Sequence, residues 1–214
     1  MTESIRYFHS GDLARIACSA CEGCGECCRG MGDTIVLDPY DAYQLAFGLQ
    51  RPFATLIHNG VDLHVENGIT LPHMAMTGSP EACSFLDPDG RCLIHAFRPG
   101  ICRLYPLARD YSEDELRYFI LPEACSGHSL SKVRIRNYLE IPDLNEYEAF
   151  KSAWHHFLKK AEAAALREKD EEILRKLSLF ILKIFYLQPY EGDSFYEPAA
   201  RRIERAARYL GLGR

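Results

Sequence analysis

The chain has 214 residues, 47% of them hydrophobic and 26% charged, and a formal net charge of -5. That length fits one domain, or one with a smaller appendage, and the apolar content excludes global disorder. The acidic balance argues against a nucleic-acid surface, whose electrostatics need the opposite sign.

The first residues, MTESIRYFHSGDLARIA, show no cationic start followed by an apolar run, so no signal peptide is expected. TIVL (34–37) reads as a short strand. Asp38 then caps a helix with Pro39 at its first position and Gly48 near its end. A second helix is expected from Pro52 to about His58, and VDLHV, Gly68 and ITL suggest a hairpin. RYFIL (117–121) is another strand candidate, followed by a helix near 130–140. After Pro142, Asp143 and Glu146 form a start resembling a capping box. The helix that follows puts Tyr147, Phe150, Trp154, Phe157, Leu158 and Ala161 on one face. A further helix begins near Asp170, its latter half apolar almost all round. LSLFILKIFYL (177–187) is short and broken by Lys183, so it reads as a buried helix and not a membrane span. The last helix runs from about Tyr196 to Leu210 and stops at Gly211. Its arginines read as a solvated face.

All nine cysteines lie between Cys18 and Cys125. This divides the chain into a cysteine-rich part, 1–128, with short elements, and a helical extension, 129–214, packed on it. The expected class is α+β, helix-rich, with an irregular metal-binding part ahead of the helices. A cytoplasmic location is expected, where thiols stay reduced and clustered cysteines hold metal or do chemistry more often than they form disulfides. Nine is also an odd number for a disulfide framework.

Cys21, Cys24, Cys27 and Cys28 form C-x2-C-x2-C-C, with Gly23 and Gly25 relieving the backbone in the turns. The adjacent Cys27 and Cys28 are expected to diverge, so two metals or a larger cluster would use both more naturally than one ion. A second register, Cys18, Cys21, Cys24 and Cys28, has the ferredoxin-like spacing C-x2-C-x2-C-x3-C, but Arg29 stands where that pattern has proline. In CSFLDPDGRC the turn residues Asp87, Pro88 and Gly90 predict a hairpin that brings Cys83 and Cys92 near each other. With a glycine bulge, which the turn chemistry favours, Leu86 opposes Cys92 and the two cysteines face opposite sides. Shared ligation then requires the ladder to end early or twist strongly. Cys102 and Cys125 complete a set of eight. Thiolates are the metal-binding form, and burying many of them without cations is very costly; iron–sulfur or zinc supplies the compensating charge.

Around these windows lie Arg29, Arg91, Arg98 and Arg103, which could stabilise an anionic cluster. His95 stands at a zinc-ligand spacing from Cys92, though a hydrogen-bonded structural histidine is the plainer reading. Tyr105 could donate to a sulfur. His73-Met74-x-Met76 reads as strand and core before a copper site, and His155 and His156 diverge on their helix. Asp38, Asp41 and Asp62 have no paired-carboxylate spacing that suggests catalysis. No phosphate loop, G-x-S-x-G or H-E-x-x-H is present.

Three motifs in order, CEGCGECC (21–28), CSFLDPDGRCLI (83–94) and RPGICRLYP (98–106), resemble the YkgJ-type cysteine-cluster family, also described as a zinc- or iron-chelating domain. The likeness spans about residues 21–127, leaves the helical remainder outside, and has no counterpart for Cys18. That family includes flagellin lysine N-methylase, for which an iron–sulfur cluster is implied. The resemblance implies a metal centre on Cys21, Cys24, Cys27, Cys28, Cys83, Cys92, Cys102 and Cys125. The expected cofactor is an iron–sulfur cluster, 4Fe-4S first, with zinc the alternative. Three functions follow: an iron–sulfur protein with a redox or Lewis-acid role, a zinc-stapled interaction module, or a protein lysine methylase by family analogy alone. A protein partner or protein substrate would meet the C-terminal helices; neither nucleic acid nor membrane is expected.

Overall fold

The computed structural model describes residues 5–17, 24–78, 81–112, 115–122, 124–125, 129–191 and 194–213. The fold is α+β, with short antiparallel strands through the first part and long helices in the last. Strands β1 (Tyr7–Phe8), β8 (Arg117–Ile120) and β7 (Leu107–Asp110) form a three-stranded sheet in that order. β2 (Leu13–Ala17) pairs with β9 (Ser131–Arg134), and β5 (Met76–Thr77) with β6 (Ala82–Cys83). β3 (Val61–Glu66) and β4 (Ile69–Met74) make the expected hairpin, in register from Val61↔Met74 to Glu66↔Ile69. Its turn residues Asn67 and Gly68 both take positive φ, the two-residue geometry that matches strand twist.

TIVL is a single bridge and not a strand. Val36 pairs with His73, Leu37 N–H donates to the Pro72 carbonyl at 2.8 Å and Met74 N–H to Ile35 at 2.9 Å. Pro72 has no N–H to return, so the ladder cannot continue. The expected helix at 52–58 is one 3-10 turn, Phe53–Leu56. The helix near 130–140 shrinks to α3 (Ile135–Leu139), because the preceding residues are taken into β9.

Helix α1 (Pro39–Leu49) starts as expected, and more completely: Asp41 N–H donates to Asp38 Oδ1 at 3.0 Å, and Asp38 N–H donates back to Asp41 Oδ2 at 3.1 Å. Helix α4 (Leu144–Ala165) starts differently: Asp143 sits in the left-handed region with φ 52 and makes no side-chain cap. The apolar face of α4 is as read, with Tyr147, Phe150, Trp154, Phe157 and Ala161 buried and Leu158 only partly so. Asp170 caps α5 (Glu171–Ile181) through Glu172 N–H at 2.8 Å, and the helix continues as a π-helical stretch, Leu182–Leu187. That segment is less enclosed than its sequence suggests: Ile181, Leu182 and Phe185 are buried, Leu179 and Leu187 exposed. Helix α6 (Tyr196–Tyr209) closes the chain, with Gly211 at φ 65 beyond it. No helix among the described residues is long and apolar enough to cross a membrane.

Two buried clusters hold these pieces. The larger mixes Leu37, Leu45, Leu71 and Ile94 of the first part with Phe150, Trp154, Phe185 and Ala199 of the last. The smaller gathers Phe8, Ile16, Leu104, Tyr118, Leu139 and Tyr147. Helix α4 enters both, so it fixes the front of the chain against the back.

The same helix carries a cation into the interior. Lys151 is 4% exposed; its Nζ contacts Asp38 Oδ2 and lies 3.8 Å from Asp41 Oδ2. Asp41, 2% exposed, also accepts from Gly100 N–H at 2.7 Å, at the start of α2 (Gly100–Leu104). Burial pushes the Asp41 carboxyl up and the Lys151 ammonium down, and their closeness opposes both shifts. Gly100 leaves no space for more: a Cβ there would lie 2.2 Å from the Tyr147 hydroxyl and 3.2 Å from Lys151 Nζ. The network thus pins α2, α1 and α4 at one point.

Lys151→Met leaves two carboxylates buried without their cation and is expected to cost about 3–5 kcal/mol of stability. Lys159→Met removes a pair whose lysine is 57% exposed and should cost under about 1 kcal/mol. Chemical denaturation of both variants checks this; equal, small losses would show that Lys151 is not structurally paired.

Candidate metal centre

The cysteine positions follow from local backbone chemistry. Gly25, at φ 65, precedes a 3-10 turn, Glu26–Cys28, closed by Cys28 N–H donating to the Gly25 carbonyl at 3.0 Å. A single tight turn brings neighbouring side chains together: Cys27 Sγ and Cys28 Sγ are 3.9 Å apart. The two sulfurs were expected to diverge and instead converge. Two thiolates on one tetrahedral ion at about 2.3 Å stand about 3.8 Å apart, so this pair has the spacing to share an ion.

The turn then docks on the second cysteine motif. Arg29 bridges Ala82, and Gly30 N–H donates to the Glu81 carbonyl at 3.0 Å. Cys83 ends the two-residue strand β6 opposite Met76. After it the chain turns at once, Leu86 N–H donating to the Cys83 carbonyl at 2.9 Å. The DPDG loop has the bulged register: Leu86 bridges Cys92, Gly90 takes φ 78, and Asp87 N–H donates to the Arg91 carbonyl at 2.9 Å. The ladder ends at that one bridge, which is the condition for Cys83 and Cys92 to face a common space. Cys102 comes from α2, held through Gly100 by Asp41.

Cys27, Cys28, Cys83, Cys92 and Cys102 line one chamber of about 50 Å³. Ile35, Met74, Met76, Ile94 and Pro99 supply its apolar wall; His95 and Arg98 are the polar residues at its edge. Met74 and Met76 are therefore core and wall. His95 lies beside the sulfurs, and its ring nitrogen accepts from the Arg98 guanidinium. Of the four arginines singled out in the sequence, only Arg98 lines the chamber. Cys24 and Cys125 are described but do not line it; Cys125 is buried at φ 57, its backbone hydrogen-bonded to the Tyr105 hydroxyl. Cys21 and Cys18 lie outside the described residues, so the ferredoxin-like register does too. His155 and His156 engage different partners, His155 stacking on Tyr111 at 4.0 Å and His156 Nδ1 bonding the Ser152 carbonyl at 2.7 Å, while their rings still meet edge to face at 5.7 Å.

The sulfurs are electrostatically coupled. A hydrogen bond from Cys28, with help from Arg98, lowers the Cys27 thiol to about 7 against the burial that would raise it. The same bond, then burial, pushes Cys28 up. Burial raises Cys83, Cys92 and Cys102, and the neighbouring sulfurs add to it. One thiol ionises easily and its charge opposes the rest. Among the described residues no three His, Cys, Asp or Glu side chains stand close enough to grip an ion as they are; the five thiols ring a chamber rather than converge on a point. The donor set fits a thiophilic metal. It is sulfur in an apolar wall, suited to zinc or iron–sulfur and unsuited to calcium or magnesium, which need oxygen.

The buried Asp38–Asp41–Lys151 network is what sequence reading missed. Its signal was a lysine on the face shared by Tyr147 and Trp154, where an amphipathic helix should be apolar.

In metal-stripped protein, Cys27 should be the first of the five chamber cysteines to react with iodoacetamide, its rate rising through about pH 7. A lowered thiol is thiolate at lower pH, so it should lead Cys102, whose burial delays ionisation. Peptide mass spectrometry reads the order; Cys102 reacting as early as Cys27 would contradict this electrostatic picture.

Comparison with curated proteins found no match, and comparison with solved structures found none either. A protein-family comparison matched residues 20–126, half of the chain, to the family described as CxxCxxCC, "putative zinc- or iron-chelating domain". The matched stretch includes every cysteine of the chamber. The chain belongs to this CxxCxxCC family.

Proposed function

We propose that the chain is an iron–sulfur protein whose cluster, 4Fe-4S as the first expectation, sits in the cysteine chamber. The observation that supports this reading is the number of sulfurs around one space. Five cysteines line the chamber, and a single tetrahedral ion takes about four ligands. A 4Fe-4S cluster takes four cysteines as well, so the chamber holds a complete set for it; the fifth sulfur, with Cys21 and with Cys24 and Cys125 outside the chamber, would serve a second metal atom. Iron there would supply one-electron or Lewis-acid chemistry. The protein's own contribution is to hold the sulfurs on four anchored segments, to exclude water with Ile35, Ile94 and the two methionines, and to set Arg98 against the thiolate charge. A guanidinium beside an anionic cluster favours its reduced form.

Zinc is the second reading, and two observations favour it. The Cys27–Cys28 spacing of 3.9 Å suits two thiolates on one ion, and the chamber of about 50 Å³ is small. In that case the centre staples the fold, and the helical part is a surface for a protein partner. A lysine methylase activity rests on the family analogy of the sequence alone.

Anaerobic purification with metal and acid-labile sulfide analysis separates these readings. The first predicts brown protein with about four iron and four sulfide per chain for a 4Fe-4S cluster, and bleaching by oxidation. Cys83→Ser and Cys102→Ser should each lower the iron content severalfold, since a ligand has been removed. Colourless protein with stoichiometric zinc and no sulfide would overturn the iron–sulfur reading in favour of the second. Full metal retention in both variants would remove the chamber as the site.

A further inference from the structure

A second cavity, of about 370 Å³, lies against the cysteine chamber. Arg98 and His95 line both spaces, so they form the wall between them. The rest of its polar lining includes Arg103, Gln44, Tyr40 and, on the outer side, the exposed Glu140. Its volume is that of a pocket for a small organic molecule, roughly 300 Å³ or more.

Neither guanidinium is ion-paired inside the cavity, whose one carboxylate, Glu140, is exposed on its outer side, while on the chamber side Arg98 faces the Cys27 sulfur. Arg98 bonds the neutral ring of His95, and its Nε is buried without a partner. Arg103 donates to the Ala96 carbonyl at 2.9 Å. Neither makes a salt bridge among the described residues. Two like charges half-buried on one wall repel, and an oxyanion between them removes that cost while filling the unused donors. The planar fork of arginine suits carboxylate and phosphate equally. Tyr40, Ile141 and Pro142 give the carbon part of a ligand an apolar seat.

We propose that this cavity binds a small organic oxyanion, a carboxylate or a phosphate, with its charged end held between Arg98 and Arg103. The anion then lies one side-chain layer from the cysteine chamber, where a substrate or an effector of a metal centre would be placed. The proposal stands on the cavity and its arginines and does not need the iron–sulfur reading.

Isothermal titration of the full chain as purified, at low ionic strength, tests it with inorganic phosphate, phenyl phosphate, benzoate and the neutral benzamide. At least one anion should bind saturably and benzamide should not; phenyl phosphate over benzoate, or the reverse, identifies the oxyanion. Arg103→Gln should weaken that anion about tenfold or more, the usual worth of a charged hydrogen bond. Gln44→Glu, which adds a negative charge to the α1 side of the cavity without touching the cysteine chamber, should do the same. Its unfolding midpoint serves as the folding control, and it decides alone if Arg103→Gln does not fold. No saturable binding at millimolar anion, or equal binding by wild type and Gln44→Glu, would overturn the proposal. Metal content measured on the same samples keeps this result separate from the identity of the centre.

Discussion

Thiolates crowded into an apolar chamber repel one another and are poorly solvated, and the front half of the molecule is arranged around that constraint. With protons alone, only one of the sulfurs ionises readily: Cys27 is drawn down by its neighbour while Cys28, Cys83, Cys92 and Cys102 are pushed up. The chain nevertheless delivers all five from four separate segments to the same space, Cys27 and Cys28 sharing one turn. A cation of two or more charges among the sulfurs would outweigh those repulsions and favour the thiolate form of every one. On the proposed reading metal binding is part of what orders this region, since a site of this kind does not pre-exist in the unfolded chain.

The sulfurs are held from outside the chamber. Cys102 depends on α2, α2 on the Asp41 carboxylate, and Asp41 on a lysine that arrives from α4. Residues far apart in sequence therefore set the position of one chamber sulfur. The long helices serve the chamber in a second way. Their aromatic residues close the larger core over the β3–β4 hairpin, whose last residue, Met74, is also chamber wall. Arg98 joins this arrangement to the polar cavity beyond it, so charge on the sulfurs and the occupancy of that cavity act on the same guanidinium.

Much of this was legible in the chain. The hairpin turn at Gly68, the Asp38 cap, the α4 face and the bulged register of the DPDG loop each follow from local rules, because turn residues and helical periodicity act over a few positions. The family likeness placed the cysteines in one constellation, and five of the eight are seen to share a space. What escaped was non-local or depended on a fine turn. The sulfurs of Cys27 and Cys28 converge because Gly25 starts a 3-10 turn, which spacing alone does not specify. TIVL stays a single bridge because its neighbour is Pro72. Asp38 read only as a helix cap, and neither it nor Asp41 as part of a charge network, because their partner is Lys151, on another helix. The cavity beyond Arg98 draws on α1, α2 and the segment after α3, and no local pattern links them.

Anomalous-scattering crystallography of metal-replete protein tests the central claim most directly. The account predicts an anomalous peak inside the chamber, within bonding reach of Cys27, Cys28, Cys83, Cys92 and Cys102. A stoichiometric metal peak elsewhere in the molecule, with those five sulfurs uncoordinated, would contradict it.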